Sequence, residues 1–266
     1  GTKKIQATIP DSTDKMPKQG TGLGNMNEGE IAILGRHKLL CGDALSYTNI
    51  QKLMDGKKAT MLFTDPPYSI DYIPENRAKG GRKVNQLGGM IGDKNFDIEK
   101  FLKLLEIGFI EGAIYICGST NMYNIVWDWM VKTTGREPTV IVWNKNNFAI
   151  TRRHYHRKHE FIFYNWIGKP VWNGGHNQSD VWDIKQRPVQ DYIHPTQKPI
   201  LLVKKAIMNS SNENDIVLDL FGGSGTTLIA AEQTGRRCFM AELDLHYCDV
   251  IIKRYEALTG NKAVVE

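Results

Sequence analysis

Ile216-Val217-Leu218-Asp219-Leu220-Phe221-Gly222-Gly223-Ser224-Gly225-Thr226-Thr227 carries the clearest sign of the chain's architecture. A short run that is apolar but for Asp219 and stops at glycines reads as a strand buried on both faces. The residues that follow, to position 233, carry a helical pattern. A strand, a glycine turn and a helix in that order form the first half of a βαβ unit. The turn lets backbone approach a ligand closely, and the N-terminus of the helix favours a negative group. About twenty residues further on, Ala241-Glu242 ends the next apolar strand, where an acidic side chain can accept hydrogen bonds from ribose hydroxyls. The arrangement suits a nucleotide-type cofactor. It lacks the dinucleotide GxGxxG pattern, and its bland alternative is a tight strand-to-helix turn that binds nothing.

Working outward, helices are expected at 200–209 and 247–258, and a strand at 237–242. Upstream, strands are expected at 37–43, 59–64, 112–117, 139–144 and 160–165, with helices at 48–54, 97–108 and 122–132. The 139–144 and 160–165 strands flank a basic run as a hairpin. Strands alternating with helices imply an α/β fold, a mainly parallel sheet with helices on both faces. Residues 1–30 are polar, with Pro10, Pro17 and several glycines, and read as a flexible linker or tail. Residues 31–266 form the expected domain. Residues 71–95 are Gly-rich and basic without a period, a long loop of the kind that usually serves function.

At 266 residues with 41% hydrophobic and 24% charged residues, the composition is that of one globular domain. No apolar run reaches membrane-spanning length, and no secretory signal opens the chain, so a cytoplasmic protein without a membrane partner is expected. Cys41, Cys117, Cys238 and Cys248 form no CxxC pair, the seven histidines form no HxxxH pair, and no metal is assigned. Net charge is +5, which permits a polyanionic partner without demanding one. The clusters say more. Arg152, Arg153, His156, Arg157 and Lys158 lie in a basic and aromatic run, and Arg77, Lys79, Arg82 and Lys83 lie in the long loop. Bases interleaved with aromatics suit phosphate neutralisation, against the alternative of a solvated hairpin face.

The second chemical motif is Thr64-Asp65-Pro66-Pro67-Tyr68, at the carboxyl end of the 59–64 strand, the end at which open α/β sheets bind ligands. Two prolines fix the backbone and remove two amide donors, leaving nearby carbonyls free to accept. Asp65 adds a carboxylate and Tyr68 a flat ring. An amino group held between a carboxylate and a carbonyl loses conjugation with its base, and its lone pair turns toward an incoming methyl group.

Asp-Pro-Pro-Tyr followed much later by Phe-x-Gly-x-Gly resembles the amino-directed DNA methyltransferases, and the order resembles their beta group, a circular permutation of the usual arrangement. The resemblance covers roughly residues 37–260. It implies a Rossmann-like methyltransferase fold, S-adenosylmethionine as methyl donor, and double-stranded DNA as partner. By position, Asp65, Pro66, Pro67 and Tyr68 are expected to be catalytic, with Asp65 and the Pro66 carbonyl holding the amine and Tyr68 stacking on a flipped base. Asp219, Phe221, Gly223 and Gly225 are expected to shape the cofactor turn, with Thr226 and Thr227 near the methionine carboxylate. Glu242 is matched to the ribose, and Asp43 with Ala44 to the adenine. His194, Thr196 and Lys198 are matched to the segment that closes the cofactor pocket. Residues 165–192, with Trp166, Trp172 and Trp182, stand where the family places target recognition, although such tryptophans more often pack than stack on bases. Homodimers are common in that family, and some members carry an upstream ParB-like domain, so a catalytic fragment of a longer protein is a further expectation.

Adenine N6 is favoured over cytosine N4 as the target, because Asp rather than Ser precedes Pro-Pro-Tyr. Methylation at cytosine carbon 5 requires a thiolate, usually in a Pro-Cys context, and none of the four cysteines follows proline. A binding module that kept the fold without catalysis predicts a damaged turn or a missing acid. A nicotinamide oxidoreductase predicts the dinucleotide fingerprint. All these readings turn on whether Asp65 and the bend at Gly223 share one side of the sheet.

Overall fold

The computed structural model describes residues 26–67, 96–148, 154–186 and 197–266. Within them, β1 (Ile31–Leu34) and β2 (His37–Cys41) form a hairpin, followed by α1 (Tyr47–Met54) and β3 (Ala59–Thr64). Then come α2 (Ile98–Leu105), β4 (Ile110–Gly118), α3 (Tyr123–Thr134), β5 (Thr139–Asn144), β6 (His159–Ile167) and β7 (Val181–Asp183). The chain ends with α4 (Ile200–Ser210), β8 (Ile216–Asp219), α5 (Thr226–Gln233), β9 (Arg237–Glu242), α6 (Leu245–Thr259) and β10 (Val264–Val265). Three helices begin where sequence supplies a side-chain acceptor: Ser46 takes the amide of Asn49, Asp97 that of Lys100, and Asp244 that of His246.

One sheet contains all the described strands, in the order β10-β1-β2-β9-β8-β3-β4-β6-β5-β7. Its centre, β2-β9-β8-β3-β4, is parallel throughout. The β1 and β10 strands add antiparallel at one edge. At the other, β6 pairs antiparallel with both β4 and β5, and β7 closes the edge parallel to β5. The sheet thus has the expected parallel core with helices on both faces. On one face α4, α5 and α6 bury Phe63, Met61, Val217 and Met240. On the other, α1, α2 and α3 bury Leu62, Ile114, Leu218 and Phe239. The alternation along β3 explains the sorting, since successive side chains of a strand point to opposite faces.

The direction of each strand decides what reaches the functional edge. The five parallel strands all end at the same edge. Because β6 runs against β4, its first residues, His159 and Glu160, arrive at that edge as well, with Phe161 opposite Gly118. Because β5 runs against β6, its last residues arrive there too, with Trp143 opposite Glu160 and Asn144 opposite His159. Of the 165–192 stretch matched to target recognition, Asn165 to Ile167 complete β6 and Val181 to Asp183 form the edge strand β7. Trp182 is buried in the core and Trp166 lies under the guanidinium of Arg136 at 4.4 Å, so both pack. Trp172 is 42% exposed. Positions 187–192 and the 71–95 loop lie outside the described residues.

Candidate active site

Asp65, Pro66 and Pro67 follow β3 directly, with Pro66 buried and its two neighbours partly so. The adjacent strand is β8, with Met61 paired to Val217 and Leu62 to Leu218. Asp65 and the Gly222–Gly225 bend therefore leave neighbouring parallel strands on the same edge. A buried hydrogen-bond cluster fixes the two segments together. Asp219 Oδ1 accepts from Thr64 Oγ1 at 3.1 Å and from the Phe221 amide at 3.1 Å, and Oδ2 accepts from Thr227 Oγ1 at 2.6 Å. Thr64 Oγ1 in turn accepts from the Leu220 amide at 3.3 Å. Burial pushes the Asp219 carboxyl up to about 7, partly offset by the donors from Thr227, Phe221 and Thr64. Both Asp219 oxygens and the Thr227 hydroxyl are thus engaged within the protein. They tie the end of β3 to the glycine bend, a task the sequence reading had not given them.

The bend is shaped for close approach from outside and close packing from within. Gly225 adopts φ +82°, and a Cβ there would stand 2.9 Å from Ile251 of α6. Gly223, at φ +51°, faces open space, with nothing within 4 Å of where a Cβ would be. Thr226 begins α5, which has no side-chain cap, so its first amides are not satisfied by a capping side chain. Phe221 sits edge-on against Phe96 and Phe101, at 5.3 and 5.2 Å between ring centroids.

The next strand of the edge supplies Glu242. Its Oε2 accepts from the Gly223 amide at 2.6 Å and its Oε1 from the Asp244 amide at 2.8 Å. Burial pushes its carboxyl up to about 7, against the pull of those backbone donors. Asp43 and Ala44 follow β2, whose neighbour is β9. Asp43 Oδ1 accepts from the Leu45 amide at 2.8 Å, and the Gly42 amide reaches Glu242 O at 2.8 Å. Asp43, the glycine bend, Glu242 and Asp65 thus arrive at one edge from four consecutive strands.

Lys198, just before α4, is buried at 7% side-chain exposure, with its Nζ 2.5 Å from Asp65 Oδ2 and 3.1 Å from Glu160 Oε2. Glu160 also pairs with Lys145. Glu160 and Lys145 were missed in the sequence. The available signal was an acidic residue opening an otherwise apolar and aromatic strand, Glu160-Phe161-Ile162-Phe163-Tyr164. At the rim, Arg157 donates to Thr120 Oγ1 at 2.6 Å just past the end of β4. His156 stacks on Phe148 with ring centroids 5.4 Å apart, and Lys158 is exposed. Tyr68, Arg77, Lys79, Arg82, Lys83, Arg152, Arg153, His194 and Thr196 lie outside the described residues. All four cysteines are buried and unpaired. Among the described residues no group of three His, Cys, Asp or Glu gathers in metal-ligating geometry.

Comparison with known proteins identifies the family. The DNA methylase family model, N6_N4_Mtase, matches residues 59–254, from the start of β3 into α6. Type II methyltransferase M2.MboI of Moraxella bovis is 27% identical over 223 residues, covering 75% of this chain and 81% of the relative. DNA adenine methyltransferase YhdJ of Escherichia coli (strain K12) is 25% identical over 262 residues, covering 85% and 84% respectively. Among solved structures, the M1.HpyAVI–SAM complex superposes with a TM-score of 0.61 at 26% identity, over 81% of this chain and 98% of that one. With three quarters of its length inside that family match, on the strands that gather Asp65, the glycine bend and Glu242, this chain belongs to the DNA methylase family that acts on the N6 and N4 amino groups.

Proposed function

We propose that this protein transfers a methyl group from S-adenosylmethionine to the N6 amino nitrogen of an adenine flipped out of duplex DNA. The observation that carries the reading is the hydrogen-bonded junction of Thr64 and Asp219, which sets the Asp65-Pro66-Pro67 turn beside the glycine bend. A site for the donor fits the residues present. Gly223 leaves its backbone open, the first amides of α5 have no side-chain cap, and Glu242 holds a half-buried carboxyl whose charged form gains from further donors. Glu242 would take the ribose hydroxyls, Asp43 the adenine, and the start of α5 the methionine carboxylate. When bound, the donor would supply an electrophilic methyl on a sulfonium whose sulfur leaves as a neutral thioether, and the methylated nitrogen then gives up one proton to solvent.

The protein's part is positioning. A base within a duplex cannot reach an edge of this shape, so it must be extruded at a cost of a few kcal/mol. Asp65 and the Pro66 carbonyl accept hydrogen bonds from the amino group, and Tyr68 stacks on the ring. Held this way, the nitrogen loses conjugation and directs its lone pair at the methyl carbon, while the Asp65 carboxylate stabilises the positive charge that develops on nitrogen. The adenine target is supported by Asp in the first position of the turn and by the adenine-directed relative. Digestion of methylated DNA to nucleosides, followed by mass analysis, should give N6-methyladenine. N4-methylcytosine as the product would overturn the choice of base.

Binding of the donor should depend on pH through Glu242. Its carboxyl and that of Asp219 both stand above their ordinary values, near 7. The ligand-free fold therefore holds this stabilising contribution at low pH and loses it as pH rises through about 7. Ribose hydroxyls donate to the ionised form, so donor affinity should fall as pH drops below about 7, by up to about tenfold per unit. Titration calorimetry on the protein and on Glu242→Gln checks this. The variant should bind more weakly with a flatter pH profile, and an unchanged profile would remove Glu242 from the donor site.

The rim residues Arg157 and Lys158 are proposed phosphate contacts, with His156 beside them. Replacing both with alanine should weaken DNA binding and reduce the slope of log K against log salt by about one to two. Fluorescence anisotropy across a salt series measures this, and an unchanged slope would assign the run to a solvated hairpin.

A further inference from the structure

Four charged groups form an alternating line at the functional edge: Asp65, Lys198, Glu160 and Lys145. Lys198 Nζ stands 2.5 Å from Asp65 and 3.1 Å from Glu160, and Glu160 also pairs with Lys145. The line is assembled from four elements. Asp65 follows β3, Glu160 is near the start of the antiparallel β6, Lys145 follows β5, and Lys198 precedes α4. Lys145 is itself anchored, 4.9 Å above the ring of the buried Trp143, with its amide bonded to Lys158 O at 2.8 Å. Burial alone would raise the Glu160 carboxyl, but the Lys198 and Lys145 ammonium groups outweigh it and hold it at about 2. Glu160 is therefore ionised across the physiological range, held between the ammonium groups of Lys198 and Lys145.

An ammonium group against Asp65 poses a problem for the reaction. If Asp65 must stabilise positive charge on the target nitrogen, an uncompensated Lys198 would cancel that field in a site where charges are weakly screened. Glu160 removes the conflict. With it, the four groups are neutral overall, with the negative end of the line at Asp65 and Lys145 at the far end, and Lys198 serves to fix the direction of the Asp65 carboxylate. We propose that Glu160 is a positioning residue for methyl transfer: it neutralises and anchors Lys198, so that Asp65 is oriented by the lysine without losing its hold on the developing cation. The proposal rests on the reading of Asp65 as the group that holds the target amine.

The test compares Glu160→Gln, Glu160→Asp and Asp65→Ala in the whole chain, with saturating donor and duplex DNA. Glu160→Gln keeps the shape and removes the charge, and should lower kcat about tenfold or more while KM for each substrate stays within about threefold. Glu160→Asp restores the charge and should recover much of kcat. A merely structural role predicts the reverse, with kcat per folded molecule retained and recovery tracking the melting temperature. If Glu160→Gln does not fold, Lys145→Gln, which removes the outer cation and leaves Glu160 charged against Lys198, should keep kcat within about threefold. Loss of activity in Asp65→Ala together with unchanged kcat in Glu160→Gln, or with about a tenfold loss of kcat in folded Lys145→Gln, would overturn the role of Glu160 and leave the catalytic reading intact. Retained activity in Asp65→Ala would overturn both.

Discussion

Replacing Asp65 with alanine is expected to reduce methyl transfer roughly a thousandfold or more, a loss typical of removing an oriented charge from the reacting atoms, while S-adenosylmethionine affinity stays within about threefold. The separation follows from placement. The donor groups proposed here, Asp43, the Gly222–Gly225 bend and Glu242, come from β2, β8 and β9, whereas Asp65 comes from β3. The contact holding the two sides in register is made by Thr64 and Asp219, and the substitution leaves it in place. Folding should survive, because Lys198 keeps Glu160 as a counter-charge when Asp65 is removed. Single-turnover kinetics with radiolabelled donor, paired with calorimetry, measures both quantities. Turnover within tenfold of the parent would remove Asp65 from the reaction.

Gly112→Ala should be the most damaging single change to stability among the glycines described. Gly112 lies in β4 at φ +149°, and a Cβ there would stand 1.9 Å from the carbonyl oxygen of Thr60 in β3. Backbone has little room to yield, because this is where the β3–β4 register shifts, between the Ala59–Ile110 and Met61–Ala113 pairs. Met61 and Ala113, the next pair along, are fully buried, so relief would have to displace one of the two central strands. A loss of about 3 kcal/mol or more is expected, which lowers the melting temperature by about 10 °C. Gly108→Ala provides the contrast. Its φ of +96° imposes strain, but nothing lies within 4 Å of the added carbon, so a loss near 1 kcal/mol is expected. Equal melting temperatures for the two variants would show that the β3–β4 contact is not rigid.

The expected elements were legible wherever a segment was long enough to show its own period. Residues 59–64 and 237–242 were read as strands and match β3 and β9 residue for residue. The 97–108 helix is shorter than expected at both ends, because Asp97 is its cap and the helix closes at Leu105 with Glu106 as the C-cap. The strands β1, β7 and β10 were not read. They have four, three and two residues, too short for a pattern, and they are defined by the neighbour they pair with. β7 falls in the stretch matched to target recognition, where Trp182 serves the core.

Sequence by itself determined the two chemical motifs, the alternation of strands and helices, and the family they resemble, because each depends on residues within a few positions of one another. Only the tertiary structure decided which strands are neighbours. That choice brings Thr64 to Asp219, 155 residues apart, and Lys198 to Asp65, 133 residues apart. It also turned β6 against β4, which delivers Glu160 to the functional edge. Local backbone preference and hydrophobic period carry no information about such pairs. They form only when burial of both sheet faces selects one strand order, and a charge can find its counter-charge only after that order is set.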